Sequence, residues 1–214
     1  MKRGIILPIV VIICALYFSA LPAQATLITI EITATVDSVD DPSGYLEGNI
    51  VAGDIITGTY TYESTTPDSQ PSYPTVGRYE HSTPPHGIFL SVSGFDFRTD
   101  LTEVDFLVGI ANDATSGGLH DSYWIHSYNN LPLLNGTLVD DIFWNLRDNS
   151  ATAVSSVNLP TTAPILDDWL SRNELRLEGE RGGYIVDAHV TSAVPEPATI
   201  VLFAVGALLL RKRN

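Results

Sequence analysis

Apolar and polar residues alternate with a period of two along much of this chain. In residues 27–36, Ile28, Ile30, Ile32, Ala34 and Val36 fall on one side and Thr29, Glu31, Thr33 and Thr35 on the other. That pattern predicts a strand with one buried and one solvated face. Residues 55–63 repeat it, with Ile56, Gly58, Tyr60 and Tyr62 set against threonines. Shorter strand candidates follow at 78–81, 87–97, 104–110, 122–128, 137–147, 151–158, 174–178 and 183–191. Between them stand clusters of turn formers: DSVDDPSG at 37–44, Thr83-Pro84-Pro85 and residues 112–118. Residues 65–74 hold three prolines and no periodicity, which predicts a loop, and only 165–170 (ILDDWL) reads as a helical turn. Many short strands with almost no helical period predict an all-β fold: a single β-sandwich of jelly-roll type, its first and last strands pairing as neighbours. No fixed-period repeat interrupts it.

The alternation fails at both ends. Met1-Lys2-Arg3 is a basic head, residues 5–20 form a nearly unbroken apolar run, and Ala23 and Ala25 have the A-x-A spacing of a cleavage site. This predicts a secretory signal peptide over residues 1–25, cut by signal peptidase after Ala25, with an uncleaved anchor as the alternative. Cys14 follows Ile13, whereas lipid attachment needs a small residue there. At the other end, thirteen uncharged residues (198–210) separate Pro195-Glu196-Pro197 from the cations Arg211, Lys212 and Arg213. As a helix they span about 20 Å, short of the ~30 Å hydrocarbon core. A marginal, transient membrane hold is the expectation, with a plain single-pass anchor as its alternative. Both apolar segments carry their cations on the side expected to stay in the cytoplasm, so the stretch between them is placed outside.

That body, residues 26–193, is expected to be one extracellular domain. It has no cysteine once Cys14 is removed, so packing or bound ions must hold it. Its only basic residues are six arginines, which face 24 of the chain's 25 acids and leave a formal charge near −18. Nucleic acid and anionic membrane surfaces are thereby excluded as partners, since both repel such a body.

Candidate chemistry is sparse. The chain has no G-x-S-x-G elbow, H-E-x-x-H pair or P-loop, and a body without cysteine cannot use a thiol. No catalytic residue or cofactor is therefore expected, although two of the many acids could still meet as a glycosidase pair. His120 and His126 lie on one predicted strand about 20 Å apart, too far to share one metal. Calcium could draw on Asp37, Asp40 and Asp41, or on Asp140 and Asp141, but no D-x-D-x-D-G loop is present. Trp124, Tyr128, Trp144 and Trp169, with Tyr73 and Tyr79, are the aromatics that could stack on sugar rings if exposed; the alternative is that they fill the core. Asn135-Gly136-Thr137 matches a glycosylation sequon, and Leu159-Pro160-Thr161-Thr162 lies too far from the tail to act as a wall-sorting motif.

Pro195-Glu196-Pro197, the short apolar segment and the terminal basic cluster, in that order, resemble the PEP-CTERM sorting signal of exported bacterial proteins. The resemblance covers about the last 21 residues. It implies recognition by an exosortase, a membrane-embedded cysteine transpeptidase-like enzyme, in bacteria that make exopolysaccharide. It implies a protein held by its tail in the inner membrane and then placed at the cell surface or outside the cell. The two prolines keep the chain extended, the form a protease-type cleft grips. The body is similar to the β-rich ectodomains of such proteins, which implies a structural or glycan-associated binding component. A polysaccharide hydrolase or lyase and a calcium-stabilised adhesin are the other expectations.

Overall fold

The computed structural model describes residues 26–196. The signal-peptide cleavage site at Ala23 and Ala25, Pro197, the apolar segment and the basic cluster Arg211, Lys212 and Arg213 lie outside the described residues.

Ten strands account for the regular structure: β1 (Leu27–Asp40), β2 (Ile55–Glu63), β3 (Val76–His81), β4 (Gly87–Val92), β5 (Phe95–Arg98), β6 (Phe106–Ala114), β7 (His120–Ser127), β8 (Val139–Asp148), β9 (Arg172–Gly179) and β10 (Ile185–Pro195). The all-β expectation holds. All ten join in one antiparallel sheet of order β3-β6-β7-β8-β9-β10-β1-β2-β4-β5. The two separate sheets of a jelly-roll sandwich are not seen; a single sheet curls over its own inner face. Tyr123 on β7 donates its hydroxyl proton to Tyr60 on β2 at 3.0 Å, although four strands lie between them in the sheet. Past the end of β5, Leu131 N–H reaches the Arg98 carbonyl at 2.9 Å and helps draw the curl together.

Side-chain parity explains the core. Ile30, Ile32, Ala34 and Val36 of β1, Tyr60 and Tyr62 of β2, and Ile142, Trp144 and Leu146 of β8 are all buried on the inner face. Tyr60 meets Trp144 edge-on at 6.0 Å, and Trp144 donates its indole N–H to Asn173 at 3.1 Å. The buried apolar area supplies the main stabilisation of a cysteine-free body.

β1 and β10 pair at the middle of the sheet, so the first and last strands are the expected neighbours. Two other expectations need correction. Residues 87–97 form a tight hairpin, not one strand, because Ser93 and Gly94 both take positive φ (49° and 88°), the backbone of a primed two-residue turn. Residues 151–158 are not a strand. The Asp148 carboxylate accepts from the backbone N–H and hydroxyl of both Ser150 and Thr152, which turns the chain out of the sheet as β8 ends. The turned segment then closes one end of the curl, where Val157 and Pro160 carbonyls accept from Tyr79 and Tyr62 hydroxyls. Leu166–Asp168 forms a 3₁₀ turn at the site of the expected helical turn.

Candidate functional site

Two places on this sheet carry the residues that the sequence singled out. The first is the end of β10. Its ladder to β9 runs only from Ile185 to Ala188, after which the Asn173 side chain bonds both the N–H and the carbonyl of Val190. On the other side β10 stays with β1 much further: Ser192, Ala193, Val194 and Pro195 face Thr33, Ile32, Glu31 and Ile30. Glu196 adds a backbone N–H bond to the Thr29 carbonyl at 3.0 Å. A register shift falls between the Thr33↔Ser192 and Ala34↔Val190 pairs, so Thr191 is bulged out of the ladder. Pro195 and Glu196, the first two residues of the triplet, are therefore built into the sheet. The strand runs past the expected domain boundary at residue 193.

The second place is the outer face of β6, β7 and β8. Cross-strand pairing puts Leu107, His126 and Phe143 in one row, and Gly109, Trp124 and Asn145 in the next. Gly109 is required here by close approach: a Cβ at this position would sit inside the Trp124 indole, which lies flat over the bare backbone. The His126 ring stacks on Tyr128 with centroids 3.7 Å apart and meets Phe143 at 5.2 Å. His126 Nε2 is fixed by the Asp141 carboxylate at 2.7 Å. Tyr128 is 40% exposed, and Trp124, His126 and Phe143 are half-buried. Burial raises the Tyr128 phenol, while nearby Arg78 pulls against that shift. Arg176 closes the row, held by Asp187 at 2.8 Å and Glu174 at 3.1 Å. The result is an apolar, aromatic strip edged by planar hydrogen-bonding groups of both signs.

The remaining aromatics divide. Trp144 is fully buried and Trp169 is 5% exposed, so neither presents a free ring face to a sugar, and both leave the set of candidate contacts. Tyr79 is core, whereas Tyr73 is exposed on a loop away from regular structure. Three of the five candidate calcium carboxylates have partners within the fold. Asp37 pairs with His189 at 2.7 Å, Asp41 accepts from the backbone of Tyr45 and Leu46, and Asp141 holds His126. Asp40 ends β1, and the Asp140 carbonyl accepts from Asn130. Among the described residues no group of three or more histidine, cysteine or acidic side chains is placed to hold a metal. His120 is buried at the start of β7, where its ring Nδ1 bonds the Gly118 carbonyl at 2.8 Å.

Sequence reasoning passed over two features. Asp121 is fully buried and accepts from the backbone N–H groups of Asp113 and Val154, tying the irregular end of β6 and the segment after β8 to β7. His81 and His86 are buried with rings 4.7 Å apart. Burial, and then the neighbouring imidazole, pulls His81 down to about 4, so it is neutral at physiological pH. Their five-residue spacing across a proline turn was the one available signal, and it fits no motif.

A family model described as the PEP-CTERM protein-sorting motif matches residues 193–213, which include the end of β10. The motif supports an exported protein that an exosortase recognises, holds at the membrane through its tail and passes to the surface. No curated protein and no solved structure matches the chain.

Proposed function

We propose that this chain is a structural, glycan-associated component of the cell surface or extracellular matrix, delivered through its sorting tail. The tail is cut by an exosortase-type enzyme during delivery, after a signal peptide has been removed at the other end. The β domain is a binder and not an enzyme, and it holds polysaccharide on the outer face of β7 and β8. One observation carries this reading: Trp124, His126, Tyr128 and Phe143 gather on a solvent-facing strip, with Trp124 laid flat over Gly109. Sugar rings have apolar C–H faces that pack on such rings, and their hydroxyls suit the flanking Asp141, Asn145 and Arg176. A body near −18 favours a neutral glycan over a polyanion.

Affinity electrophoresis of residues 26–196 in host exopolysaccharide tests the reading. Retardation that falls at least tenfold in the Trp124→Ala, Tyr128→Ala double variant, with an unchanged melting temperature, supports it. New reducing or unsaturated ends in the polysaccharide would replace it with the hydrolase or lyase reading. A melting temperature that rises with calcium and falls with chelator would favour the calcium-stabilised adhesin.

A further inference from the structure

Tail delivery needs the triplet to enter a cleft as extended peptide, yet in the folded domain its first two residues belong to a sheet. The pairing of Pro195 with Ile30 and the Glu196–Thr29 bond leave only Glu196 and Pro197 between the end of β10 and the apolar segment at Ala198. Two residues span roughly 7 Å. A membrane-embedded enzyme would meet a motif pressed against a folded body, one edge of it covered by β1.

The end of β10 is built to come loose. Beyond Val190 its backbone bonds go to β1, since the β9 ladder ends at Ala188 and Asn173 reaches no further than Val190. The bulge at Thr191 separates the last residues from the part that seals the core, where Ala188 and Val190 are buried. Past the bulge, Val194 and Pro195 are exposed and the one apolar side chain packed against the core is the half-buried Ala193, so release of this end uncovers little apolar surface. Pro195 has no N–H to give the ladder, which weakens this end further.

We propose that β1 and the sorting enzyme compete for the same strand, and that the enzyme takes residues 192–196 only after they peel from residues 29–33. The bulged Thr191 is the hinge. Peeling yields five residues of extended chain, a reach of roughly 16 Å at about 3.3 Å per residue. That length clears the domain from the membrane surface and bares both edges of the motif for strand-like capture. Each backbone bond to β1 shifts this equilibrium by roughly fivefold, and apparent affinity falls with the fraction that is open. This inference rests on the sorting reading given above.

A reversible clamp tests it. Glu31 and Val194 are exposed cross-strand partners, and opposed residues in an antiparallel pair lie about 4.5–5.5 Å apart at Cα, within disulfide range. The body has no other cysteine to interfere. Full-length chain carrying Glu31→Cys and Val194→Cys, expressed in the host, is followed by pulse-chase and blotting of the tail, with the crosslink verified on non-reducing gels. The expected result is tail processing slowed at least tenfold when oxidised and restored by reductant, with each single-cysteine chain at the wild-type rate. Six Gly/Ser residues inserted between Ala193 and Val194 should free the motif and raise the rate above wild type. Oxidised clamp processed at the wild-type rate overturns competition and indicates docking of the enzyme on the open β9-side edge. A wild-type chain that keeps its tail overturns the sorting reading and this inference with it.

Discussion

Trp124 and Trp144 sit on adjacent strands of one sheet and have opposite fates. Trp144 faces inward, has no exposed surface, and packs edge-on against Tyr60 and Tyr123. Trp124 faces outward, is half-buried, and covers a glycine backbone. Both belong to polar-aromatic stretches that look alike as composition. What separates them is the parity of each strand against the curl, because successive side chains point to opposite faces. The inner aromatics hold the sheet closed, and the outer ones are available to a ligand.

This division can be broken from either side. Trp144→Ala should cost about 3–5 kcal/mol and leave little cooperative unfolding in a denaturant melt, since it opens a cavity where the two halves of the curl meet. A Trp144→Ala chain of near-native stability would mean that the inner face is not the core. Tyr60→Phe leaves the Tyr123 hydroxyl without its acceptor and should lower the denaturant stability by about 1–3 kcal/mol. Gly109→Ala forces the Trp124 indole off its seat; about 1–2 kcal/mol is the expected loss, together with glycan retention. Retention that survives Gly109→Ala would show that the flat indole is not what the ligand meets. Trp124→Ala should change stability by about 1 kcal/mol or less while abolishing most retention, and equal losses in both would erase the contrast between the faces.

Acid gives the smallest and most local test, at the end of β8. Bonds from Ser150 and Thr152 hold the Asp148 carboxyl at about 2, below its ordinary value of 3.8. A carboxyl depressed in the folded state stabilises above its unfolded pKa near 4, and that contribution disappears as pH falls from about 4 to about 2. Asp148→Asn should flatten this part of the acid-unfolding curve. An unchanged curve would detach the turn after β8 from the sheet's stability.

Much of this was legible beforehand, for identifiable reasons. A clean period of two gave β2 to the residue and marked strands at 27–36 and 183–191, but alternation alone does not say that these two meet. Trp124 and Tyr128 lie on the outer face, whereas burial removed Trp144 and Trp169. Period alone could not reveal the curl, because one coiled sheet and two stacked sheets demand the same alternation from each strand. Nor could it show that residues 151–158 leave the sheet, since the cause is a carboxylate at Asp148 that outcompetes the ladder for nearby N–H groups. The role of Gly109 depends on its cross-strand neighbour Trp124, which the pattern along one strand does not name. The triplet at 195–197 was visible at once, but its entry into the sheet depends on a partner strand some 160 residues away.

That distance imposes an order in time. Thr191 bonds the Thr33 carbonyl across 158 residues, and β1 lies at the centre of the sheet, flanked by β10 and β2. A chain threaded across a membrane from its first residue delivers β1 early and β10 last. Until β10 arrives, β1 exposes an unpaired edge, and contacts this remote in sequence form slowly. The domain can close only when the residues just ahead of the tail's apolar segment have emerged. In such a chain, completion of the fold waits on the emergence of β10.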